Sequence, residues 1–355
     1  MQEYFKNKKV LITGHTGFKG SWLSLWMSML GAEVHGISIS IPTDPSHFEL
    51  LNLNIKNDIR LDIYNSKKIA DIISRIKPDY IFHLAAQPLV ALSYQNPLET
   101  FQTNVIGTAN LLDALRNLKN ECIAVIITSD KSYDNLEISR GYHEDDKLGG
   151  SDPYSGSKGA AELVINSYTK SFFSSSNVRI GVGRAGNVIG GGDWAKNRII
   201  PDAIRSIENE ETLIIRSPNA TRPWQHVLEP LSGYIYLAIE LKNSNDNNGQ
   251  AFNFGPSFKE DYTVQDVLIE LKKTLTGLDW RVEETMKFKE STLLKLDCNK
   301  AYNILDWTST LDFKQTISFT SLWYLEYLNK RRKLKTLSEN QILEFDGFRS
   351  NKKNI

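Results

Sequence analysis

The amino-acid sequence predicts an α/β protein with a doubly wound parallel sheet and a smaller mixed α/β lobe in its C-terminal half. Three observations support this fold class. A β-branched apolar run at residues 10–13 leads into Gly14, Gly17 and Gly20, and an apolar segment without Gly or Pro follows. Strand-like and helix-like segments then alternate to about residue 182, which is typical of βαβ units. From about Gly186 the alternation breaks, and short strands and loops indicate a second lobe.

The individual elements follow from apolar periodicity and from turn residues. Strands are predicted at 10–13, 33–39, 59–63, 80–85, 123–129 and 178–182, and helices at 21–30, 66–76, 98–118 and 152–173. After a loop at 190–194 we expect a strand at 213–216, a helix at 228–241, a strand at 250–254 and a helix at 264–275. The basic run 329–335 is expected to close the last helix.

These elements divide into two units. We expect residues 1–186, rejoined by 228–255, to form a Rossmann-type dinucleotide domain. Residues 187–227 and 256–335 would form the substrate-binding lobe, and residues 336–355 a C-terminal tail.

The glycine-rich turn is the first functional signal. Because glycine has no side chain, Gly14, Gly17 and Gly20 let the chain turn tightly and bring the next helix close to the strand. Backbone N–H groups and the positive end of that helix then meet where a pyrophosphate can bind. The turn therefore predicts a dinucleotide site, and its place between a strand and a helix favours this interpretation over an ordinary turn.

Charge and cysteine content exclude several classes of protein. Lysine plus arginine and aspartate plus glutamate number 42 each, so no net charge favours nucleic acid or an anionic membrane. Cys122 and Cys298 lie far apart without Cys or His at metal-ligand spacing, which indicates packed thiols in a reducing compartment and no metal site. The polar segment 1–9 does not resemble a secretory signal, and no apolar stretch is long enough for a bilayer. We expect a soluble, cytoplasmic protein.

Tyr154 and Lys158 form the second functional signal. They stand four residues apart at the start of a predicted helix, which places the phenol and the ammonium on one helix face. The lysine charge would favour the phenolate and make Tyr154 a base for a substrate hydroxyl. Such a pair in isolation is usually part of an amphipathic surface, but the glycine turn upstream favours the catalytic interpretation.

With these motifs the chain resembles the extended short-chain dehydrogenases/reductases over nearly its whole length, and among them the nucleotide-sugar 4,6-dehydratases. Within that family it is most similar to the members that act on CDP-glucose. The supporting stretches are GHTGFKGSW at 14–22, HLAAQPLV at 83–90, TSDK at 128–131, YSGSK at 154–158, GRAGNVIGGGDW at 183–194 and RPWQH at 222–226.

The resemblance implies that Ser129, Asp130 and Lys131 are catalytic together with Tyr154 and Lys158. Ser129 matches the family's Ser or Thr at the end of the fifth strand. Asp130 and Lys131 would remove the proton on sugar carbon 5 and protonate the leaving 6-hydroxyl, and the sequence leaves open which of the two residues handles which proton. An exposed ion pair is the alternative. Members that only epimerise usually carry small residues here, whereas Asp-Lys is the pair of those that act on CDP-glucose.

The implied cofactor is NAD. Residues 35–40 lack the acidic residue that usually holds the ribose hydroxyls of NAD, and they also lack an Arg or Lys for the 2′-phosphate of NADP. Ser38 or Ser40 could serve a free ribose hydroxyl, and Asp62 matches the family position beside adenine, with an ordinary strand-end Asp as the alternative. The full set of expected cofactor residues is Gly14, Thr16, Gly17, Phe18, Lys19, Gly20, Asp62, Ile63, Leu84, Ala85, Ala86, Thr128, Tyr154 and Lys158.

The second half supplies the expected substrate residues. Arg222 and Arg198 are candidates for the diphosphate, because a guanidinium matches phosphate oxygens, although either could be a solvated charge. Trp194 could stack on the base or could pack in the core. The full set of expected substrate-binding residues is Gln87, Asn187, Asp193, Trp194, Arg198 and Arg222.

Two other functions remain as alternatives. One is 4,6-dehydration or 4-epimerisation of another nucleotide-sugar, and the other is a non-catalytic dinucleotide sensor, which would not need Tyr154 and Lys158. The resemblance also implies a homodimer or a dimer-based tetramer, in which helices equivalent to 98–118 and 154–173 pair across the dimer. An apolar stripe on these helices could equally face the sheet.

Overall fold

A computed structural model describes residues 1–256, 261–283, 294–330 and 333–353 of the 355-residue chain. Its strands are β1 (Lys9–Thr13), β2 (Glu33–Ser38), β3 (Asn57–Arg60), β4 (Tyr80–His83), β5 (Cys122–Ile127), β6 (Val178–Ala185), β7 (Val188–Ile189), β8 (Leu213–Ile215), β9 (Gln225–His226), β10 (Ala251–Phe254) and β11 (Trp280–Val282).

The α-helices surround these strands. They are α1 (Gln2–Phe5), α2 (Phe18–Met29), α3 (His47–Leu51), α4 (Ser66–Ile76), α5 (Val90–Gln95), α6 (Pro97–Phe101), α7 (Gly107–Arg116), α8 (Pro153–Tyr168), α9 (Ile199–Glu208), α10 (Leu228–Asn243), α11 (Val264–Lys272), α12 (Asn299–Leu305), α13 (Phe313–Leu328) and α14 (Leu334–Lys353). Single π-helical segments, Gln102–Ile106 and Thr169–Phe173, join α6 to α7 and extend α8. No helix in these described ranges is both long and apolar enough to cross a membrane.

Seven strands form one parallel sheet in the order β10-β6-β5-β4-β1-β2-β3. The first six strands thus follow the doubly wound order in which the chain leaves β1 in one direction, returns, and continues from β4 in the other. This confirms the predicted fold class. Ligands of such sheets bind beyond the carboxyl ends of β1 and β4, where the direction of winding changes.

Helices cover both faces of the sheet, and successive residues of one strand enter different cores. Val10 and Ile12 of β1 belong to a large core with Trp22, Trp26 and the helix α10. Leu11 points to the opposite face and packs with residues of α4 and α7. Burial on both faces explains why the central strands read as continuous apolar runs.

The C-terminal half combines two short parallel ladders, β7 with β9 and β8 with β11, with the last helices. Between them the chain returns to the large sheet, because α10 packs on β6 and β10 pairs with it. Substrate-lobe and sheet residues therefore alternate along the chain.

Most predicted elements end a few residues from the observed ones, and the helix expected at 98–118 is α6, a π-helical segment and α7 in succession. Two further differences have a clear cause. The strand expected at 59–63 is Asn57–Arg60, so Asp62 and Ile63 follow it. The expectation that residues 329–335 close the last helix is wrong, since α14 follows at Leu334–Lys353. Leu334, Ile342 and Phe345 of α14 are buried, and Phe345 meets the ring of Trp26 edge-on at 5.8 Å. The many charged residues between these apolar positions obscured the helical period.

Candidate active site

The glycine-rich turn lies at the carboxyl edge of the sheet and is tightly packed. Gly14 has a φ of +75°, and a Cβ there would be 2.8 Å from the backbone nitrogen of Ala85. A Cβ on Gly20 would be 2.0 Å from the carbonyl oxygen of Gly14. Gly17 caps α2, whose first turn therefore faces the same space. The turn thus forms the cradle that a pyrophosphate needs, and only glycine fits at its two closest approaches.

His15 links this turn to the neighbouring strands and was missed by the sequence analysis. Its Nε2 is 2.8 Å from Oδ1 of Asp58, and its Nδ1 is 2.9 Å from Oγ of Ser38. Gly36 leaves room for the ring, because a Cβ on it would be 2.3 Å from His15. Burial lowers the pKa of His15 against the raising effect of Asp58. No local pattern predicts these contacts, because they depend on the register of β2 and β3.

The ribose end of the candidate cofactor site differs from the expectation. The Ser38 hydroxyl is already hydrogen-bonded to His15. The carbonyl oxygen of Ser40 accepts a hydrogen bond from the Thr16 hydroxyl at 2.7 Å. A cation does stand nearby, because Arg60 of β3 is in register with Ser38. Its Nη2 donates to Oδ2 of Asp58 at 3.0 Å. A search of β2 alone could not find this cation.

The remaining expected cofactor residues occupy the strand ends. Asp62 is exposed and accepts the backbone N–H of Tyr64 at 2.9 Å, whereas Ile63 is buried against Gly107. Three partly buried residues follow β4, namely Leu84, Ala85 and Ala86. The structure thus places them beside the glycine turn, while Asp62 and Ile63 lie beyond β3.

The expected catalytic residues converge where β5 ends and α8 begins. Thr128, Ser129, Asp130, Tyr154 and Lys158 are all buried. The Ser129 hydroxyl donates to Oδ1 of Asp130 at 2.9 Å. A side-chain hydrogen bond also joins Ser129 to Tyr154 and lowers the pKa of the phenol. Lys131 lies further out, with its Nζ 4.0 Å from Oδ1 of Asp130 and its side chain 30% exposed.

Burial controls the titration of Tyr154 and Lys158. It raises the pKa of Tyr154 to about 12, which outweighs the lowering by the Ser129 hydrogen bond. It lowers the pKa of Lys158 to about 8, against the raising effect of Glu162. In the protein alone, Tyr154 is therefore a protonated phenol at neutral pH, and Lys158 is poised close to the physiological range.

Lys19, on the helix that follows the glycine turn, interacts electrostatically with the catalytic residues. Burial lowers its pKa to about 8, Asp130 raises it, and the charges of Arg198 and Lys158 lower it. Its Nζ lies 3.5 Å from the hydroxyl of Tyr234 on α10. Tyr234 was not predicted, since a buried tyrosine in an apolar helix gives no signal of function.

The expected substrate residues do not form one group. Gln87 is buried and donates to Thr100 at 2.9 Å, so it holds the loop after β4. Trp194 is buried against Tyr324 and Tyr327, with ring centroids at 5.4 and 4.7 Å, which favours its packing role. Asn187 is exposed.

Arg198 and Asp193 form an ion pair in the same region. Nη1 of Arg198 donates to Oδ2 of Asp193 at 2.9 Å. The carbonyl of Asp193 accepts the Tyr324 hydroxyl at 2.6 Å. The charge of Arg198 lowers the pKa of Tyr154, so the guanidinium lies within electrostatic range of the catalytic phenol.

A cavity of about 200 Å³ opens beside Asp130. Arg222 and Gly186 line it, and Gly186 separates it from the Asp130 carboxylate. An ion pair of Asp261 and Lys295, 2.8 Å long, lies in its wall. The sequence analysis found Arg222 but missed the other three residues, which come from separate parts of the chain.

The parallel sheet, the glycine cradle and the buried Tyr154–Lys158 pair together define a dinucleotide-binding protein of the short-chain dehydrogenase/reductase class. The family model described as GDP-mannose 4,6-dehydratase matches residues 11–320, and the chain belongs to this family. The resemblance expected from the motifs is thereby confirmed.

Similar proteins agree with this assignment. CDP-glucose 4,6-dehydratase of Salmonella typhimurium is 46% identical over 92% of this chain and 93% of its own length. CDP-paratose 2-epimerase of Salmonella typhi is 26% identical over 89% of this chain and 98% of its own. Among solved structures, an epimerase from Methanothermobacter thermautotrophicus shares the fold with a TM-score of 0.79 at 23% identity, covering 94% of this chain and 96% of its own.

Proposed function

We propose that this protein converts CDP-D-glucose to CDP-4-dehydro-6-deoxy-D-glucose with loss of water. The 46% identity to a CDP-glucose 4,6-dehydratase over nearly the whole length supports the choice of reaction and nucleotide. The observation that carries the proposal is the Asp130–Lys131 pair beside Ser129 and Tyr154, because dehydration needs an acid and a base that simple epimerisation does not.

The glycine cradle and the residues around it fit NAD as cofactor. Gly14 and Gly20 leave the backbone room for a pyrophosphate at the start of α2. Arg60, the cation nearest Ser38 in the register of β3, is already paired with the Asp58 carboxylate and is therefore not free to bind the 2′-phosphate of NADP, which favours NAD. When bound, NAD supplies the acceptor for the hydrogen of sugar carbon 4 and returns it to carbon 6.

Tyr154 acts as the base for the 4-hydroxyl of the sugar. The Ser129 side chain is hydrogen-bonded to the phenol of Tyr154 and would also orient the 4-hydroxyl of the sugar. Lys158 stabilises the phenolate while it carries a positive charge. Asp130 and Lys131 then provide the acid and the base that remove the carbon-5 proton and release the 6-hydroxyl as water. The Ser129 hydrogen bond fixes the Asp130 carboxylate for that step.

Arg222 and Arg198 would bind the diphosphate of the substrate. Arg222 lines the cavity together with Gly186, and Arg198, paired with Asp193, lies within electrostatic range of Tyr154. A guanidinium matches the geometry and charge of phosphate oxygens, so both side chains suit a diphosphate that stays attached to the reacting sugar. Asn187 and Asp193 would complete this part of the proposed site, and Trp194 would support it by packing on Tyr324. Gln87 would act separately, by holding the loop after β4.

The protein further fits a homodimer or a dimer-based tetramer. Large apolar side chains stand exposed on the helical segments around α6 and α8, namely Leu98, Phe101, Ile106, Leu163 and Phe172. Exposed apolar groups of this size commonly mark interfaces between proteins. The free thiols of Cys122 and Cys298 suit a reducing, cytoplasmic location.

The direct test incubates the purified protein with CDP-, UDP-, GDP- and dTDP-glucose and records product mass and the alkaline absorbance of keto sugars. Loss of one water with CDP-glucose alone would support the proposal. Turnover with another nucleotide would keep the mechanism and change the substrate. No water loss with any of them would contradict dehydration. A deuterium label that moves from carbon 4 to carbon 6 would distinguish dehydration from 4-epimerisation.

A further inference from the structure

Glu162 lies one helical turn after Lys158 on α8, on the same face of the helix. Its side chain is only 4% exposed. Oε1 accepts the Thr128 hydroxyl at 2.7 Å and Nε of Arg184 at 2.8 Å, and Nη2 of Arg184 donates to Oε2. Glu162 therefore ties the helix that carries Tyr154 and Lys158 to the end of β5 and to β6.

Arg184 extends this link to the segment that follows Lys131. Its Nη1 donates to the Tyr133 hydroxyl at 2.7 Å and to the carbonyl of Glu144 at 2.9 Å. The guanidinium carbon lies 4.7 Å from the centre of the Tyr133 ring. The Tyr133 hydroxyl in turn donates to Oδ1 of Asn253 on β10 at 2.7 Å. One guanidinium thus fixes the catalytic helix and the chain beyond the Asp130–Lys131 pair.

A buried ion pair often stabilises a core less than apolar side chains of the same size would, because both charges lose their hydration. The carboxylate of this pair, however, lies one helical turn from Lys158 and interacts with its charge. The charged groups that face Lys158 are Glu162 on its own helix and Lys19 from the glycine turn, with His83 on β4 close by. Glu162 raises the pKa of Lys158 against burial. Without Glu162, Lys158 would face Lys19 without a compensating carboxylate, and the positive charge of Arg184 would lose the carboxylate that neutralises it one helical turn along α8.

We propose that Glu162 is a positioning residue for the reaction: paired with Arg184, it orients Thr128 and α8 and keeps the charge on Lys158. The inference rests on the proposed function only for its kinetic readout. It predicts that neutralising Glu162 alone shifts the pH dependence of the site, whereas removing both charges of the pair does not.

The test compares the pH profile of kcat for wild type, Glu162→Gln and the double variant Glu162→Gln/Arg184→Met. In Glu162→Gln the fall of kcat at high pH should move downward by roughly one pH unit, because an opposite charge next to Lys158 is lost. At pH 8 kcat should drop roughly fivefold, with little change in KM, because the charged fraction of Lys158 falls from about one half to about one tenth. In the double variant, the fall of kcat at high pH should move back towards its wild-type position. In Glu162→Asp, that fall should stay at its wild-type position.

Glu229→Gln is the matched control, since it makes the same change at a buried glutamate that contacts Thr310 and Leu311 instead of the catalytic group. An unchanged profile in Glu162→Gln, or an equal shift in Glu229→Gln, would overturn the proposal. If Glu162→Gln does not fold, the pH profile of Glu162→Asp decides. A shift of about one pH unit in that variant would overturn the proposal, and a profile like that of wild type would support it.

A second readout separates this inference from the proposed function. NADH binding followed by nucleotide fluorescence should show the same downward pH shift in Glu162→Gln and its return in the double variant. If wild type turned over no nucleotide-sugar, the proposed function would fail, and the binding titration would still decide the role of Glu162.

Discussion

Gly186 lies so close to Asp130 that a Cβ on it would be 2.9 Å from Oδ2 of the carboxylate. The same Cβ would be 3.3 Å from Cγ of Pro223, which follows Arg222 in the cavity wall. A methyl group at residue 186 would therefore force the Asp130 carboxylate or Pro223 to move. The missing side chain at residue 186 therefore lets the cavity wall at Pro223 and the Asp130 carboxylate pack on either side of the same backbone position.

Gly186→Ala should reduce kcat by roughly ten- to a hundredfold, because a small displacement of a catalytic group has effects of that size. Tyr154 and Lys158 are untouched, so the first oxidation should persist and reduced dinucleotide should accumulate, which its absorbance would reveal. Gly277→Ala is the control, as its Cβ would meet only Ile207 at an ordinary 3.5 Å. Full activity of Gly186→Ala would contradict a role for the position of Asp130.

Tyr154→Phe should lower kcat by roughly a hundred- to ten-thousandfold, the usual contribution of a general base. Substrate binding should change little, because the ring remains. Rates are measured by the formation of keto sugar. The matched variant is Tyr80→Phe, whose hydroxyl has no hydrogen-bond partner in the described ranges and whose ring packs on Phe5 at 4.7 Å. Equal losses in both variants would mean that Tyr154 acts only through stability.

Glu229 should make stability depend on pH. Its carboxylate accepts the N–H groups of Thr310 and Leu311 at 2.9 and 2.7 Å, yet burial raises its pKa from 4.5 to about 7. The folded state therefore binds this proton more tightly than the unfolded state. The resulting stabilisation is complete below pH 4.5 and is lost as the pH rises through 7.

The neutral variant Glu229→Gln can still accept both N–H groups and should not titrate. Its free energy of unfolding, relative to wild type, should improve by on the order of 2–3 kcal/mol between pH 4.5 and pH 8. Urea denaturation at the two pH values measures this difference. A difference that stays constant over the range would show that Glu229 does not titrate there.

Leu163→Glu should weaken the proposed dimer. Leu163 is 60% exposed on α8, and a charge there would oppose apolar contact across the interface. Sedimentation or size exclusion at several concentrations should show a shift to a smaller species. Leu343→Glu on α14, equally exposed at 60%, is the control and should leave the assembly intact. Loss of assembly in the control instead would place the interface at the C-terminal helix.

Local sequence patterns were enough to predict many of the strands, the glycine-rich turn and part of the candidate site. The apolar strands, the glycine turn and the Tyr154–Lys158 spacing each lie within about one element, so their periodicity and turn chemistry appear directly in the sequence. The parallel, doubly wound character of the sheet followed from the alternation of strands and helices. Family motifs added Ser129, Asp130 and Lys131, and the structure brings these residues to one strand end beside Tyr154.

Other features were decided only by the tertiary structure. The register of β2 and β3 sets Asp58 against His15 and places Arg60 beside Ser38, where the sequence of β2 alone indicated no cation. The crossing of separate strands brings Arg184 to Glu162. Such contacts join residues 22 to 43 positions apart. No local period encodes them, because their geometry depends on how the sheet is ordered and which face each helix covers.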